Sequence, residues 1–336
     1  MIRVALDAMG GDHGYSCAVE GAARLSREPV DIAIVLVGDE SRLERAFAEV
    51  PHDPDRIEIV HADGFVAMDA APREALGHLP NCSILTAARL VADGQADALV
   101  SAGNTGATIL ASAKTFGRMP GVRRAALAAV YPTARRHGPH RDPFALMLDV
   151  GATLHADPED LVAFAVMGAA YSSIVSAIEA PRVGLLSNGT EANKGTRSIV
   201  GAHERLVRSH LSFSGNVEGL DIPRGTVDVV VCDGFLGNVV LKMFEGVSDV
   251  AQDLMMLAAK RSWKWRLGLA LLRGRLREIR QLTDWKSYGG APLLGLDQVV
   301  IKAHGRSEAL ALRNAIKVAA KAVRGDLIGR IRDGVA

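Results

Sequence analysis

The sequence has few cysteines and no marked excess of charge of either sign. Its three cysteines, Cys17, Cys82 and Cys232, are odd in number, far apart and outside any metal-ligand spacing. This pattern argues against a disulfide framework and is typical of a protein in a reducing compartment. The 39 basic and 38 acidic residues leave a formal charge of +1. Because such a balance exerts no general attraction on nucleic acid, we expect no nucleic-acid partner, and any electrostatic partner must meet a local charged patch.

Long apolar runs are also missing. No segment reaches about 20 uninterrupted apolar residues, so we expect no transmembrane helix. The apolar run at 2–6 is short and ends at a carboxylate, whereas a secretion signal has a longer apolar core and a small-residue cleavage site. We therefore expect a cytoplasmic protein. With 336 residues, 49% of the chain apolar and 23% charged, the composition predicts a globular protein rather than a disordered, collagen-like or coiled-coil chain.

Short apolar segments alternate with helical patterns along the chain. Strands are predicted over 2–7, 32–37, 57–60, 98–100, 145–148, 183–186 and 227–231. Helices are predicted over 40–49, 83–94, 105–116, 158–178, 192–210, 236–260 and 306–323. This alternation favours the α/β fold class, with a mostly parallel sheet covered by helices on both faces. We interpret 132–143 as a surface loop between two strands, and since no linker divides the chain, we predict one domain over 1–336.

Four of the predicted strands end in loops that combine polar residues with glycine. Ligands of open parallel sheets bind beyond the carboxyl ends of the strands. Glycine lets the backbone approach a ligand, and the helix that follows offers free N–H groups to an anion. We therefore expect these loops to lie on one edge of the sheet and to form an active-site cleft. They contribute Asp7, Gly10, Gly11 and Asp12; Ser101, Gly103, Asn104, Thr105 and Gly106; Asn188, Glu191 and Lys194; and Asp233, Gly234, Gly237, Asn238 and Lys242.

Several well-known active-site motifs do not occur. The first strand is not followed by G-x-G-x-x-G, which disfavours a dinucleotide site. Lys194 precedes Gly195, the reverse of the order in a phosphate-binding P-loop, so we reject that interpretation. The sequence also has no G-x-S-x-G nucleophile motif and no histidine–cysteine cluster with zinc spacing. We accordingly predict no cofactor and no bound metal.

Some of the candidate residues have a structural explanation that the sequence leaves open. Lys194 can serve a ligand or be an ordinary surface lysine on a helix. Asn238 can act on a substrate or cap the helix that follows, and Asp7 and Asp233 can likewise be capping or turn residues. Cys232 ends an apolar strand, which is more typical of an inert buried cysteine than of a nucleophile.

The segment 251–282 combines basic charge with apolar residues. It carries eight basic residues against two acidic ones, together with Trp263 and Trp265. A basic amphipathic helix of this kind can lie on an anionic membrane surface. It can equally pack in a dimer interface or dock an acidic protein. All three interpretations of this helical arm remain open from the sequence.

Seven motifs occur in a fixed order along the chain. They are D-A-M-G-G-D from Asp7, S-A-G-N-T-G-A from Ser101, D-V-G-A from Asp149, V-G-L-L-S-N-G-T-E from Val183 with Lys194 and Gly195, G-N-V-E-G from Gly215, D-V-V-V-C-D-G-F-L-G-N-V from Asp228, and Y-G-G-A-P-L-L-G from Tyr288. Over about residues 2–320 this set resembles the phosphate acyltransferase (PlsX) family of bacterial phospholipid synthesis. The resemblance implies a three-layer α/β/α fold similar to those of phosphotransacetylases and isocitrate-dehydrogenase-like enzymes.

The resemblance also implies an activity and partners. The expected reaction transfers a fatty acyl group from an acyl-carrier-protein thioester to inorganic phosphate and gives acyl phosphate. The enzyme is then expected to be a homodimer, peripherally associated with the membrane, where a glycerol-phosphate acyltransferase uses the product. Because phosphate is itself a nucleophile, no covalent enzyme intermediate is required.

For this reaction we assign roles to the candidate residues as a hypothesis. Lys194 is expected to bind phosphate or polarise the thioester, and Asn238 to orient the substrate or stabilise the oxyanion. Ser101, Asn104 and Thr105 would hold phosphate. The remaining candidates, which would organise or line the phosphate site, are Asp7, Gly10, Gly11, Asp12, Gly103, Gly106, Asn188, Glu191, Asp233 and Gly234.

The segment 75–83 departs from the family pattern, which has an arginine, a lysine-rich stretch and paired serines there. Residues 77–80 carry none of those lysines, and Cys82 stands in place of a serine. This departure leaves open a non-catalytic, membrane-associated scaffold for lipid-synthesis proteins. A metal-dependent dehydrogenase of the same architecture is a further alternative, and it would need a cluster of aspartates.

Overall fold

The computed structural model describes residues 1–139, 141–261, 267–268, 270–272, 274 and 289–335. The described strands are β1 (Ile2–Asp7), β2 (Ile32–Gly38), β3 (Ile57–His61), β4 (Ala98–Ser101), β5 (Ala126–His137), β6 (Asp142–Leu148), β7 (Val183–Leu186), β8 (Phe213–Val217), β9 (Val229–Val231), β10 (Ala291–Leu294) and β11 (Val299–Lys302). The helices are α1 (Tyr15–Ser26), α2 (Glu40–Ala48), α3 (Pro72–His78), α4 (Ser83–Ala92), α5 (Thr105–Thr115), α6 (Pro158–Val175), α7 (Arg197–Leu206), α8 (Asp221–Arg224), α9 (Gly234–Arg261), α10 (Ala309–Arg324) and α11 (Leu327–Val335).

Local sequence explains where several of these elements begin and why they are buried. Strand β2 is apolar and buried along its whole length, as expected of a strand covered on both faces. Helix α6 begins with Pro158 in its first turn and a reciprocal capping box between Asp157 and Asp160. Most of its residues are buried, because its apolar side chains surround the helix rather than forming one stripe.

The described strands form an 11-stranded mixed sheet in the order β3-β2-β1-β4-β11-β10-β5-β6-β9-β7-β8. The first five strands are parallel, β10 is antiparallel to both its neighbours, and β6, β9, β7 and β8 are parallel to one another but antiparallel to β5. Two apolar clusters cover the two faces, one with α1, α6, α10 and α11 and the other with α4 and α5. This arrangement confirms the predicted three-layer α/β/α fold.

The two runs of parallel strands point in opposite directions, and this corrects one prediction. The carboxyl ends of β1, β4 and β11 lie at one end of the strands, which we call the first edge of the sheet. Those of β6, β7 and β9 lie at the opposite end, the second edge. The expectation that all four polar loops leave the same edge is therefore wrong. The reason is the β5–β6 hairpin, which reverses the direction of the sheet between its two halves.

The segment 132–143, predicted as a loop, is mostly strand. β5 continues to His137 and β6 begins at Asp142. The prediction failed because this end of the hairpin is exposed and therefore carries proline and arginine, as loops do. The sequence also gave no strong periodic signal for the short strands β8, β10 and β11 or for the helices α1, α3, α8 and α11.

Helix α9 confirms the helix predicted over 236–260 and extends into the basic segment. Most of 262–288, including Trp263 and Trp265, lies outside the described residues. Within the described part, apolar side chains such as Leu254, Leu257 and Leu271 are more than half exposed, at 61%, 55% and 79%. Among the residues that the structure describes, no helix is long and apolar enough to cross a membrane.

Candidate active site

A row of three polar residues closes the apolar core at the first edge of the sheet. Asp7, Ser101 and Lys302 end β1, β4 and β11 and are direct partners in the parallel ladder. Their side chains therefore project from the same face of the sheet. Two residues earlier on that face, the row is apolar and buried, formed by Ala5, Leu99 and Val300. We refer to Asp7, Ser101 and Lys302, together with Ser83 and Thr108 above them, as the Asp7 group.

The Asp7 carboxyl is buried and only partly satisfied. Ser101 Oγ donates a hydrogen bond of 2.7 Å to Asp7 Oδ2 and accepts the Gly103 N–H at 3.0 Å. The Ser83 hydroxyl, in the first turn of α4, acts to lower the pKa of the carboxyl. Asp7 Oδ1 is buried and has no hydrogen-bond partner. Burial raises the pKa of Asp7, against the lowering effect of the hydroxyl donors.

The two glycine loops of this edge pack directly on each other. A Cβ at Gly10 would lie 2.5 Å from the Cα of Gly103, so the loop after β1 can carry no side chain at this contact. Gly11 has a φ of +98°, which favours glycine. Gly106 packs against Pro72, where a Cβ would lie 2.6 Å from the ring. These glycines let the loops that follow β1 and β4 pack closely against each other and against the start of α3.

Asn104 and Thr105 begin α5 beside this contact. Asn104 Oδ1 accepts the Ala107 N–H at 3.1 Å and so caps the helix, while its Nδ2 donates to carbonyl oxygens of the 67–70 segment. Both ends of the Asn104 amide are therefore engaged within the protein. Thr105 is exposed at the first position of the helix. Asp12 is exposed as well, and its N–H donates to the Gly305 carbonyl at 2.8 Å.

Lys302 is a charged residue of this edge that the sequence interpretation missed. It is 5% exposed, and its ammonium donates to the Ala303 carbonyl oxygen. Burial lowers the pKa of Lys302 to about 8, although the nearby carboxylates of Asp7 and Asp12 act in the opposite direction. The signal was present in the sequence, because a lysine interrupts the apolar run of β11 where that strand ends.

At the second edge, Asp149 organises the loop that follows β6. Its Oδ1 accepts backbone N–H groups from Leu127 at 2.8 Å and from Gly151 and Ala152 at 3.1 Å each. Burial raises the pKa of Asp149, and these backbone donors act to lower it. A Cβ at Gly237 would lie 1.9 Å from the Asp149 carbonyl oxygen. Glycine at this position, and Gly234 beside it, therefore let α9 pack onto this loop.

The polar residues at the start of α9 differ in their roles. Asp233 Oδ1 accepts the Leu236 N–H at 2.8 Å, so Asp233 caps the helix. Asn238 lies inside the helix and is exposed, which makes the capping interpretation of Asn238 wrong. Cys232 is fully buried, and burial raises its pKa well above the ordinary value, which supports the interpretation as an inert cysteine.

Lys194 lies in a loop, not on the helix predicted over 192–210. Helix α7 begins only at Arg197, and Thr196 caps it. The Lys194 N–H donates to the Glu191 carbonyl at 3.0 Å, and Asn216 Nδ2 donates to the same oxygen at 2.8 Å. Asn188, Glu191 and Lys194 are all exposed. Asn216 belongs to the G-N-V-E-G motif, for which the sequence interpretation proposed no role.

The loops after β7 and β9 are neighbours, because these two strands pair in parallel. The structure therefore places the two predicted catalytic residues on adjacent segments. We refer to Asn188, Glu191, Lys194, Asp233 and Asn238 as the Lys194 group. In the part of the chain that the structure describes, no group of three or more histidine, cysteine, aspartate or glutamate side chains is placed to hold a metal ion.

Comparison with known proteins identifies the family. The family described as "Fatty acid synthesis protein" matches residues 2–330. The phosphate acyltransferase of Moorella thermoacetica is 42% identical over 332 residues, which cover 99% of this chain and 95% of that protein. The chain belongs to the phosphate acyltransferase (PlsX) family. The phosphate acyltransferase of Thermoanaerobacter pseudethanolicus is 40% identical over 334 residues, covering 99% of this chain and 97% of that protein. As a member of the phosphate acyltransferase family, the chain is an acyltransferase.

Solved structures support the fold of this phosphate acyltransferase family member. A phosphotransacetylase from Streptococcus pyogenes superposes with a TM-score of 0.63 at 16% identity, over 96% of this chain and 94% of that chain. A 4-hydroxythreonine-4-phosphate dehydrogenase from Klebsiella pneumoniae gives a TM-score of 0.52 at 15% identity, over 96% and 99%. At these identities the likeness concerns the architecture alone, and it agrees with the fold implied by the sequence motifs.

Proposed function

We propose that the chain transfers a fatty acyl group from an acyl-carrier-protein thioester to inorganic phosphate. Membership of the phosphate acyltransferase family supports the acyl transfer and the phosphate acceptor. The observation that carries the proposal to individual residues is the pairing of β7 with β9. This pairing sets the loop of Lys194 beside the first turns of α9, which carry Asn238.

The reaction needs no covalent enzyme intermediate. An oxygen of hydrogen phosphate attacks the thioester carbonyl carbon, and a C–O bond forms as the C–S bond breaks. The proton of the phosphate passes to the departing thiolate, so that acyl phosphate and free thiol are the products. The enzyme must hold an anion beside a carbonyl group and stabilise the negative charge that develops on the carbonyl oxygen.

The Lys194 group supplies chemistry of this kind. The Lys194 ammonium is exposed on a loop tethered to β8, where it can attract phosphate or polarise the thioester carbonyl. The Asn238 amide can donate to the carbonyl oxygen, whose charge grows in the transition state. Because Asp233 already caps α9, the Asn238 side chain is not required for that purpose.

The Asp7 group belongs to the same proposed cleft in spite of the reversal of the sheet. Neighbouring strands in a sheet are rotated by roughly 20–25°, so the six steps from β1 to β9 accumulate roughly 120–150°. A reversed strand that has turned this far points back within roughly 30–60° of the first direction. The loops of the two edges can thus face one cleft, with phosphate held by the loops that carry Ser101 and Thr105.

The basic charge and the exposed apolar side chains in the second half of the chain indicate its binding partners. An acyl carrier protein is acidic, and the basic segment 251–282 would attract it or an anionic membrane. The exposed apolar side chains of α9, including Leu254 and Leu257, support docking of that segment on a membrane or on a second subunit. We propose a homodimer of one-domain chains, peripherally bound to the membrane, that delivers acyl phosphate to a glycerol-phosphate acyltransferase.

The test is the release of thiol from a long-chain acyl-carrier protein with and without inorganic phosphate. Phosphate-dependent release accompanied by acyl phosphate is the expected result. Lys194→Ala and Asn238→Ala should each lower turnover at least tenfold, whereas Lys114→Ala, which removes an exposed lysine from the end of α5, should not. Release that is independent of phosphate, or a folded Lys194→Ala variant with full turnover, would contradict the proposal.

The scaffold alternative makes a different prediction in the same experiment. It rests on the loss of family cations in the segment 75–83, where Arg89 now hydrogen-bonds Asn81. A scaffold would bind acyl carrier protein and anionic vesicles but would release no thiol under any phosphate concentration. Nicotinamide reduction would instead favour the dehydrogenase alternative.

A further inference from the structure

The β5–β6 hairpin extends past the strands that flank it in the sheet. Among the described residues, β10 pairs with β5 only at Ala126 and Leu127, and β9 pairs with β6 only over 146–148. The rest of the hairpin therefore projects beyond both neighbouring strands. We refer to its described residues 133–139 and 141–145 as the hairpin arm. The proposed mechanism gives this arm no task.

A buried charged network holds the hairpin arm in place. His137 Nδ1 lies 2.5 Å from Asp228 Oδ1, and His137 Nε2 lies 2.9 Å from Thr133 Oγ1. The Arg182 guanidinium donates to both carboxylate oxygens of Asp228, each at 2.9 Å. The His137 and Asp228 side chains are only 0% and 5% exposed. Because separating a buried ion pair is strongly unfavourable, this network fixes the arm to the start of β9.

Arginines without internal partners surround the end of the hairpin arm. A Cβ at Gly225 would lie 3.2 Å from the Arg135 Cβ, so the end of α8, which carries Arg224, packs against the arm. In the part of the chain that the structure describes, these arginines form no ion pair, and the Asp228 carboxylate is already bonded within the buried network. The arm thus presents uncompensated positive charge to solvent. The exposed arginines are Arg135, Arg136, Arg141 and Arg224.

The composition of the hairpin arm favours an acidic protein over a membrane as its partner. No large apolar side chain of the arm is exposed, whereas several on α9 are. Helices that lie on membranes combine basic charge with apolar residues that enter the lipid, and the arm has only the charge. A guanidinium forms two parallel hydrogen bonds with one carboxylate. A fixed cluster of arginines therefore suits a protein surface rich in aspartate and glutamate.

The hairpin arm also lies within reach of the Lys194 group. Its buried network includes Asp228, and Asp233 of the Lys194 group follows five residues later, just beyond β9. Because a strand advances about 3.3 Å per residue, these two residues are separated by about 17 Å. A small protein domain measures about 30 Å across. A carrier domain bound to the arm can span this separation and present a flexibly attached acyl thioester to the Lys194 group.

We propose that the hairpin arm is the docking surface for the acidic acyl-carrier protein, which leaves the basic segment 251–282 to contact the membrane. The inference rests on the proposed function and names the surface at which its acyl donor binds. An arm that is already fixed loses little conformational entropy when the carrier binds. Since the attraction is between solvent-exposed charges, the KM for the carrier-bound donor should rise with ionic strength.

A double charge reversal, Arg135→Glu with Arg136→Glu, tests the docking surface. It should raise the dissociation constant and the KM for the acyl-carrier protein at least tenfold, while kcat stays within twofold. The control is Arg27→Glu with Arg330→Glu, which makes the same charge change at exposed arginines on the end of α1 and on α11. The control should keep both constants within twofold of the wild type. A folded arm variant with wild-type constants, or one that loses kcat alone, would overturn the inference.

Hydrogen exchange on the unmodified protein shows where the carrier binds. Adding acyl-carrier protein should protect 133–139 and 221–226. Protection confined to 251–261, or no protection of the arm, would overturn the inference while leaving the proposed function intact, provided that the same sample releases thiol in a phosphate-dependent manner. Protection of the arm without thiol release would support the docking surface and contradict the proposed acyl transfer. If the sample shows neither, the proposed function fails together with the inference.

Discussion

The side-chain amide of Asn216 donates a hydrogen bond of 2.8 Å to the Glu191 carbonyl oxygen, which also accepts the Lys194 N–H at 3.0 Å. Asn216 is 5% exposed, and its own Oδ1 contacts His203 Nδ1 on α7 at 3.1 Å. One buried amide therefore connects the exposed loop of Lys194 to β8 and to α7. Residues 190–196 of this loop are exposed, so few buried side chains other than Asn216 can hold the loop in place.

Replacing Asn216 by aspartate should lower turnover through Lys194. Asn216→Asp keeps an oxygen toward His203 but loses the donor toward the Glu191 carbonyl, so the Lys194 loop loses a tether. We expect kcat to fall about tenfold, which corresponds to about 1.4 kcal/mol of activation free energy. The KM for the acyl donor should change little. The measurement is steady-state release of thiol from the acyl donor.

A double variant distinguishes positioning of Lys194 from a general structural effect. If Asn216 acts through Lys194, then Asn216→Asp should have no further effect on turnover in a Lys194→Ala background. Equal fold-losses in both backgrounds would show that Asn216 affects turnover by another route. The degree of folding of all four proteins is compared by their unfolding midpoints in urea.

Gly10 should tolerate no side chain at the contact between the loops after β1 and β4. Gly10→Ala would place a Cβ 2.5 Å from the Cα of Gly103, so the two loops must separate. We expect the free energy of unfolding to fall by about 1–3 kcal/mol, the usual cost of overpacking, and phosphate-dependent turnover to fall with it. The control is Gly77→Ala on α3, where nothing lies within 4 Å and the change should be neutral or slightly stabilising. Similar stabilities of the two variants would contradict the close contact.

Asp228 should make the protein sensitive to acid. Burial alone would raise its pKa, but hydrogen bonds from His137 at 2.5 Å and from Arg182 at 2.8 and 2.9 Å hold the pKa well below its ordinary value of 3.8. A carboxyl with a lowered pKa in the folded state stabilises the protein fully above the ordinary value. This contribution is lost as the pH falls below about 4, because the unfolded chain then binds the proton first.

Urea unfolding at pH 7 and pH 3 measures this contribution. Asp228→Asn should be less stable than the wild type by about 3 kcal/mol at pH 7, because the buried His137 and the partly buried Arg182 lose their charged acceptor. The difference should shrink at pH 3. Asp31→Asn, which alters an exposed carboxylate at the surface, serves as the control. A constant difference between wild type and Asp228→Asn at both pH values would show that Asp228 is not the acid-sensitive group.

The sequence predicted the elements with strong patterns and the acyltransferase family, but not the arrangement of the elements in the sheet. Continuous apolar strands such as Ile32–Gly38 and long helices such as Pro158–Val175 were found because periodicity and caps are local signals. The reversal at the β5–β6 hairpin was missed, because Arg135 and Arg136 make the exposed strand end look like a loop. Strand direction depends on such connections, which composition does not reveal.

In the candidate site, too, the sequence indicated some residues and missed others. The motifs led directly to Lys194, Asn238, Asp7 and Ser101, since strand-end loops are recognisable from the sequence alone. Lys302 was missed because its importance depends on pairing with Ser101, a residue about 200 positions away in the chain. Such register partners are tertiary information. Asn104 was found, but both ends of its amide turned out to be engaged by the helix cap and the 67–70 segment.

The exposed apolar stripe of α9 should bind vesicles. Met243, Val247, Val250, Leu254 and Leu257 recur at three- and four-residue spacing and are all more than half exposed, at 68%, 58%, 58%, 61% and 55%. Burying one leucine in a membrane contributes about 1.5–3 kcal/mol, so Leu254→Glu should lower the affinity for anionic vesicles at least tenfold. The measurement is vesicle sedimentation with and without phosphatidylglycerol.

Ser248→Glu is the matched control for this change, because it adds the same charge to an exposed position of α9 outside the stripe. It should retain vesicle binding. The oligomeric state of both variants, measured by analytical ultracentrifugation, distinguishes between the two surfaces that the stripe can contact, a membrane and a second subunit. A dimeric Leu254→Glu protein that no longer sediments with vesicles places the stripe on the membrane. A monomeric one places it in the subunit interface, because a glutamate buried between two apolar helices would separate the subunits at micromolar concentrations.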